Sequence, residues 1–419
     1  MSNAQVPRYL TLVFIIEVSL GVLLLLITGN WITLLVIAFI LGGLATLGLG
    51  LARVGMLDQQ WFANRDTQVN KQMNSMTVSG VKINLGGSFP MTEPVNLSFE
   101  KNESLTAIQV EVQIGTLRVI GQPGLEKIQV TGQKQVSSRD AMAARLELDN
   151  LQVTSEQVGG ILKIYAGSKE RFNFAIGRSN RIDLDVLVPL TLAGTYITQS
   201  GDITLRGLEA DTIGRSNLGS LIVENFGAGR NLNLTTLSGN ITVQQIAAGK
   251  VEANTNLGRI ELVGIGAEEL HLESSAGSVR ARGVNCGIYR AKTNAGSVEL
   301  YNSTCDGPVE LRTNLGRVYA AGITAPNFIL TTDAGTVYYL GSSPRLNSEA
   351  RSNLGTVELH FPGGAVFQLE ATSNVGTVSL GLPPATVYSQ NRNHFNGVFG
   401  MGGPLIRAGS NLGTVSVGL

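Results

Sequence analysis

The phrase NLGS at residues 217–220 has close variants throughout the C-terminal half of the chain. Further copies begin at Asn256, Asn294, Asn314, Asp333, Asn353, Asn374 and Asn411. Their glycines belong to a series with steps of 18, 20, 19, 19, 19, 20, 19, 20, 21 and 37 residues, at Gly201, Gly219, Gly239, Gly258, Gly277, Gly296, Gly316, Gly335, Gly355, Gly376 and Gly413. A nearly fixed period predicts one structural unit stacked on itself, which is a solenoid.

Apolar and polar residues alternate around each glycine, as in a half-buried β-strand. All eleven residues that stand two positions after a glycine are aliphatic, and ten of them are β-branched. Each repeat is therefore predicted to contain a strand, a tight turn at the glycine, a second strand and a loop. The predicted fold class is all-β: a single-chain β-solenoid of 19–20-residue coils, preceded by two transmembrane α-helices.

The repeated asparagines suggest a structural role at the turn. Each stands two positions before its glycine, where its side chain can bond to the turn backbone or to the equivalent residue of the next coil. A ligand-binding row is the alternative. The predicted ladder consists of Asn256, Asn294, Asn314, Asn353, Asn374 and Asn411.

Two apolar stretches near the N-terminus, Leu10–Ile27 and Ile32–Leu51, are each long enough to cross about 30 Å of hydrocarbon. Only four residues separate them, so they predict a transmembrane helical hairpin. The predicted partner of residues 10–51 is therefore the lipid bilayer. Glu17 lies within the first stretch, either as a functional carboxylate or as a locally paired one.

The hairpin predicts a multi-pass cell-membrane protein with two spans and both chain ends on one side. The positive-inside rule, applied to Arg8 and Arg53, favours a cytoplasmic solenoid. The formal net charge is zero, because the chain has 31 basic and 31 acidic residues. That balance argues against nucleic-acid binding.

The chain is predicted to have four regions. Residues 1–57 form the transmembrane hairpin, and residues 58–104 form a polar linker. Residues 105–190 form an N-terminal β-strand region, with one strand expected at residues 145–153. Residues 191–419 form the repeated solenoid, with an insertion near 381–404 because the last glycine step is 37 residues.

Several phrases carry a family resemblance. They are VEVQIGTLRVIG at 110–121, IDLDVLVP at 182–189, TQSGDITLRGL at 198–208 and the SNLGSLIV-like repeats from 216. Together they resemble the bacterial "putative adhesin" domain of unknown function, also called the toast-rack domain, over Val110–Leu419. The resemblance implies a single-chain β-solenoid, often joined to membrane helices and sometimes found in envelope-stress systems. It implies no catalytic residues.

No catalytic or cofactor motif is evident in the sequence, so we predict a non-enzyme without cofactor or metal. His271, His360 and His394 share no metal-ligand spacing. Asp183 and Asp185 flank one residue and would share a strand face. They are the basis of the alternative that the chain is a polysaccharide-acting β-helix enzyme.

Outward-facing aromatic residues are the candidate binding groups. Tyr319 and Tyr338 stand three positions after successive glycines and should stack on the surface, near a predicted Glu261–Arg280–Glu299 ladder. Such aromatics serve protein or glycan partners, or only cross-strand pairing. His394 and Phe395 in the insertion are further candidates. The predicted function is a membrane-anchored binding or scaffold module, with a surface-exposed adhesin as an alternative; the oligomeric state is not predicted.

The two cysteines, Cys286 and Cys305, precede their glycines by ten and eleven residues and should meet on adjacent coils. That spacing is within disulfide range. A disulfide would favour an exported solenoid, and free thiols a cytoplasmic one. The sequence leaves both open.

Overall fold

A computed structural model describes residues 76–78, 81–83 and 89–419, except 139, 170–179 and 228. The chain divides into two compact units, Met1–Gly86 and Gly87–Leu419. In the first unit, β1 (Met76–Val78) and β2 (Val81–Ile83) pair antiparallel. The predicted transmembrane hairpin lies outside the described residues. Among those that are described, no helix is long and apolar enough to cross a membrane.

The second unit opens with seven strands and one helix, α1 (Ala141–Asn150). The strands are β3 (Phe89–Glu100), β4 (Ala107–Ile114), β5 (Leu117–Gln122), β6 (Lys127–Ser138), β7 (Leu151–Val158), β8 (Ile161–Ser168) and β9 (Arg181–Pro189).

The glycine-centred repeats supply the remaining strands. These are β10 (Ala193–Ser200), β11 (Ile203–Arg206), β12 (Thr212–Leu218), β13 (Leu221–Glu224), β14 (Leu232–Ser238), β15 (Ile241–Leu257), β16 (Ile260–Ala276), β17 (Val279–Ala295), β18 (Val298–Cys305), β19 (Val309–Leu315), β20 (Val318–Thr324), β21 (Phe328–Ala334), β22 (Val337–Gly341), β23 (Ser348–Leu354), β24 (Val357–His360), β25 (Phe367–Val375), β26 (Val378–Leu380), β27 (Thr386–Gln390), β28 (His394–Phe399), β29 (Leu405–Leu412) and β30 (Val415–Gly418).

Successive coils pair in parallel and in register, which confirms the predicted solenoid. The strand before each glycine pairs with its equivalent in the next coil, and so does the strand after it. The coils therefore build a pre-glycine face and a post-glycine face around one core. Ten of the eleven aliphatic residues at the second position after a glycine are buried, and Val378 near the C-terminal end is half-buried.

The repeated glycines are needed for close approach between coils as well as for the turn. Gly277 has a φ of 148°, and a Cβ there would lie 1.9 Å from the carbonyl oxygen of Gly258. That distance is far below van der Waals contact, and the obstacle is backbone. Only glycine lets two coils meet at this corner at the spacing of a β-sheet.

A buried hydroxyl column lies beside the glycines, three positions before each of them. Thr293 Oγ1 donates to the carbonyl of Gly277 at 2.8 Å, and Ser274 Oγ donates to that of Gly258 at 3.0 Å. These bonds satisfy buried carbonyls that face the neighbouring coil. The column consists of Thr198, Ser216, Thr236, Thr255, Ser274, Thr293, Thr313, Thr332, Ser352, Ser373 and Ser410.

The order of coils in space departs from chain order at both ends. Near the start, β4 lies between β8 and β10, and β5 lies between β9 and β11. Near the end, β29 lies between β23 and β25, and β30 lies between β24 and β26. The last coil of the chain is therefore inserted between the two that precede it.

The insertion near 381–404 contains the hairpin β27–β28, which explains the long glycine step. Strand β28 pairs antiparallel with the outer side of β25, so the hairpin covers the end coil. Phe395, Phe399 and Phe367 pack together beneath it. After the hairpin, the chain returns to form the inserted coil.

Two sequence predictions for the N-terminal part are wrong. Residues 89–100 of the predicted linker form β3, which pairs antiparallel with β6 over its whole length. Its prolines fit because β3 is an edge strand. The strand expected at 145–153 begins as α1, where the Asp140 side chain accepts a hydrogen bond from Ala143 N at 2.8 Å. The buried residues of this helix, Ala144 and Leu148, are four positions apart, which is helical spacing, and Leu146 between them is 66% exposed.

Candidate interaction surfaces

An aromatic row crosses four coils of the post-glycine face. The rings of Tyr319 and Tyr338 have centroids 4.7 Å apart and are tilted by only 6°, as expected from their aligned positions in β20 and β22. Tyr301 lies 5.3 Å from Tyr319, and His360 lies 5.3 Å from Tyr338. All four side chains are half-exposed. We call these four residues the aromatic row.

The orientation of the central rings limits what the aromatic row can bind. Tyr319 and Tyr338 are nearly parallel at the coil spacing, so each covers a face of the other. Their ring edges and hydroxyl groups are the parts available to a partner. Sugars stack on ring faces, whereas protein side chains and backbone also use ring edges and hydroxyl groups.

A charged cluster adjoins the aromatic row. The Glu299 carboxylate accepts hydrogen bonds from Arg317 at 2.7 Å, Arg280 at 2.8 Å and the Tyr301 hydroxyl at 3.0 Å. The Glu299 side chain is only 5% exposed. Burial alone would raise its pKa, but the three hydrogen bonds and the two cations hold the pKa below its usual value. The carboxylate therefore stays ionised and anchors both arginines.

The two arginines extend the recognition surface toward the rings. The Arg317 guanidinium lies 5.0 Å from the Tyr319 ring centroid, within cation–π range. Of the predicted Glu261–Arg280–Glu299 ladder, the link from Arg280 to Glu299 is formed. Sequence reasoning missed Arg317 and Tyr301, although both align with the neighbouring repeats, one and five positions after a glycine.

His394 and Phe395 were predicted to form a surface for a partner, and this prediction is wrong for Phe395. Phe395 is only 1% exposed, because alternation along β28 directs it into the core. It is therefore not displayed to a partner. His394 is half-exposed, and its Nε2 lies 2.9 Å from Ser389 Oγ within the same hairpin.

The asparagine ladder forms at the C-terminal end of the stack. Asn353 donates to Asp333 Oδ1 at 2.8 Å, Asn411 to Asn353 at 3.0 Å, and Asn374 to Asn411 at 2.9 Å. The order follows the inserted coil and not the chain. Within the described chain, no side-chain hydrogen bond links Asn256, Asn294 and Asn314.

The two cysteines meet on adjacent coils. Their Cα atoms are register partners in β17 and β18, and the Sγ atoms lie 2.8 Å apart as free thiols. The hydrogen bond between them, together with burial, raises the pKa of Cys286 far above its usual value. Such a buried, protonated thiol is a poor nucleophile.

The acidic and histidine candidates lie in structural contacts. Asp183 accepts hydrogen bonds from Thr116 N at 2.8 Å and Thr116 Oγ1 at 2.9 Å. Asp185 pairs with Arg118 at 3.1 Å. His360 Nδ1 lies 2.8 Å from the Leu419 carbonyl. Over the residues with described structure, no group of three potential metal ligands is found.

Comparison with known families places the chain. The family model Toastrack DUF4097 matches residues 67–323, which is more than half of the sequence. The chain belongs to this toast-rack family. The match confirms the resemblance seen in the sequence and agrees with the stacked β-coils. A search of the curated proteins found no match.

Three solved structures show remote similarity to this toast-rack protein. A "putative adhesin" from Parabacteroides merdae has 11% identity and a TM-score of 0.32, covering 79% of this chain and 97% of its own. A "putative adhesin" from Parabacteroides distasonis has 9% identity and a TM-score of 0.31, covering 78% and 97%. A "putative lipid binding protein" from the same species has 14% identity and a TM-score of 0.26, covering 79% and 98%. The family assignment therefore rests on the family match.

Proposed function

We propose that this toast-rack protein is a membrane-anchored scaffold that binds a protein partner through the aromatic row and the adjoining charged cluster. The observation that carries the proposal is the ordered surface of Tyr319, Tyr338 and Arg317, held by the buried Glu299 carboxylate. Aromatic and arginine side chains are the groups most enriched where proteins bind each other.

The proposed anchor is the apolar segment 10–51, and the proposed side of the solenoid is the cytoplasm because of Arg8 and Arg53. We propose a non-enzymatic role. Asp183 and Asp185, the basis of the polysaccharide-cleaving alternative, hold Thr116 and Arg118. Binding a protein partner through this surface requires no catalytic group.

The test compares partner capture by the full-length protein and two variants. The double variant Tyr319→Ser, Tyr338→Ser removes the stacked rings, and Tyr388→Ser removes an exposed tyrosine in the distant β27 as the matched control. Cross-linking in cells followed by purification should recover a specific protein with the wild type and the control, but not with the double variant. Thermal unfolding verifies that both variants fold.

Two outcomes would overturn the proposal. Equal recovery of the partner by the double variant would remove the aromatic row from the binding surface. A glycan-array signal that the double variant loses, with no protein captured, would favour the adhesin alternative. A reporter fused after Leu419 tests the proposed side of the membrane independently.

A further inference from the structure

An exposed apolar column runs along the corner between the two faces. In nine of the coils, the residue immediately before the repeated glycine is apolar and lies outside the core. We call this column the corner ridge; in spatial order it comprises Leu218, Leu257, Ala276, Ala295, Leu315, Ala334, Leu354, Leu412 and Val375.

From Leu257 to Val375 the corner ridge is continuous, because its successive members are register partners. Leu257 pairs with Ala276, Leu315 with Ala334, and Leu354 with Leu412. Nine coil steps at about 4.8 Å give a length of roughly 43 Å. Ser238 interrupts the column, but the preceding Leu237 is itself 49% exposed.

The large side chains of the corner ridge face solvent. Leu257 is 59% exposed, Leu315 60% and Val375 63%. Scattered exposed leucines are ordinary on a protein surface, but an aligned series is not. A solenoid gains nothing in its own core from these leucines, so their repetition indicates a contact outside the coil stack.

Cations flank the corner ridge on both sides. Arg215, Lys292, Arg312 and Arg351 lie three positions before a ridge residue, and Arg259 and Arg317 lie two positions after one. The coils of the corner ridge carry two carboxylates, Glu273 and Asp333, at these flanking positions and at the position two residues before the repeated glycine. Lys292, Arg312, Arg351 and Arg317 pair with the carboxylates of Glu273, Glu310, Glu349 and Glu299. Arg215 and Arg259 form no ion pair in the part of the chain that the structure describes, so these two are the cations free to meet lipid phosphates.

We infer that the corner ridge rests in the headgroup layer of an anionic lipid bilayer, so that the solenoid lies along the membrane surface. Leucines that enter the interface and cations that meet lipid phosphates are the pattern of an interfacial contact. This inference rests on the proposed membrane anchor, because a tether at residues 10–51 keeps the solenoid within reach of the bilayer. A second copy of the chain is the competing occupant.

The test measures how deeply the corner ridge enters the membrane. Single variants Leu315→Cys, Leu354→Cys and Glu268→Cys are made in the full chain, labelled with an NBD fluorophore and reconstituted into phosphatidylcholine–phosphatidylglycerol vesicles. Glu268 is the control because it is exposed and lies ten positions after Gly258, away from the turn. Labelling of the wild type verifies that the buried Cys286 and Cys305 do not react.

We expect lipid-attached spin labels to quench the probes at positions 315 and 354 at least twofold more than the probe at 268. The difference should shrink in pure phosphatidylcholine vesicles or at high salt, because the flanking cations then contribute less. Equal quenching at all three positions would overturn the inference. Disulfide-linked dimers of the unlabelled Leu315→Cys variant, together with equal quenching of the labelled variants, would identify a second copy as the occupant instead.

An alkaline wash of the vesicles separates failure of the anchor from failure of the ridge. Release of the protein by the wash would refute the proposed transmembrane anchor. Retention of the protein without selective quenching would refute only the contact between the ridge and the bilayer.

Discussion

At the scale of single residues, two buried tyrosines differ in whether their hydroxyl groups are hydrogen-bonded. Tyr289 and Tyr339 are both fully buried. Tyr339 donates its hydroxyl to the Ser342 carbonyl at 2.8 Å. The Tyr289 hydroxyl has no hydrogen-bond partner among the described residues, and burial raises its pKa well above the usual value. A buried polar group without a partner costs free energy.

The Tyr289→Phe variant should therefore be as stable as the wild type or more stable, by about 1 kcal/mol. The Tyr339→Phe variant should lose about 1 kcal/mol, because its hydroxyl is bonded. Chemical denaturation of both variants measures the free energies of unfolding. A loss of stability in Tyr289→Phe would show that the hydroxyl has a partner, such as a buried water molecule.

The repeated glycine supports a second residue-scale prediction. Gly277→Ala places a Cβ against the Gly258 backbone and should cost about 3 kcal/mol or more, because two coils would have to separate. Gly363→Ala is the matched control, since a Cβ there would meet no atom within 4 Å. Thermal unfolding compares the two variants. Similar stabilities would mean that the corner tolerates the extra carbon.

At the scale of strands, the aligned coils bring side chains from three neighbouring coils into contact. Glu299 in β18 binds Arg280 from β17 and Arg317, which immediately precedes β20. Such a buried carboxylate with several charge-assisted hydrogen bonds stabilises the stack locally. The aligned register that produces the aromatic row also produces this cluster.

The Glu299→Gln variant should lose about 2 kcal/mol at neutral pH. The folded-state pKa of Glu299 lies below its unfolded value, so its contribution is complete above the unfolded pKa and is lost as pH falls through the folded pKa. The stability difference from the wild type should therefore shrink in acid. Urea unfolding across pH 3–7 checks it, with the half-exposed Glu261→Gln as control. A difference independent of pH would contradict the assignment.

At the scale of the whole molecule, the inserted C-terminal coil couples the end of the stack to its interior. β29 and β30 each have a parallel neighbour on both sides, although they are last in the chain. The end coil is instead β25–β26, covered by the β27–β28 hairpin. Residues 405–418 are thus an interior layer of the stack, and we expect them not to fray as an end coil would.

Hydrogen exchange should report this order. Amides of β29 and β30 should exchange within about tenfold of those in the central β17, because all three are paired on both sides. Amides of β26, paired only with β30 among the described strands, should exchange faster. Fast exchange throughout residues 405–418 would contradict the inserted topology. The β27–β28 hairpin serves as an internal reference for an end element.

A structural feature of this protein can be predicted from the sequence when it recurs from coil to coil. The period of the glycines, the alternation after them and the stacking of Tyr319 on Tyr338 all follow from local spacing, because aligned coils bring equal positions together. The hydroxyl column was equally readable, since Thr or Ser precedes each glycine by three residues. It was missed because buried polar residues resemble surface residues in a pattern of alternating polarity.

The sequence by itself determined the coil, its register and the members of each column, because those depend on contacts between equivalent positions. Only the tertiary structure decided which coils are neighbours at the two ends, since β29 and β25 carry the same repeat signal and either could follow β23. It also decided that Phe395 is buried and that Arg317 joins Arg280 at the Glu299 carboxylate. Phe395 lies in the insertion, and Arg317 and Glu299 stand at different positions after their glycines, so the repeat encodes neither contact.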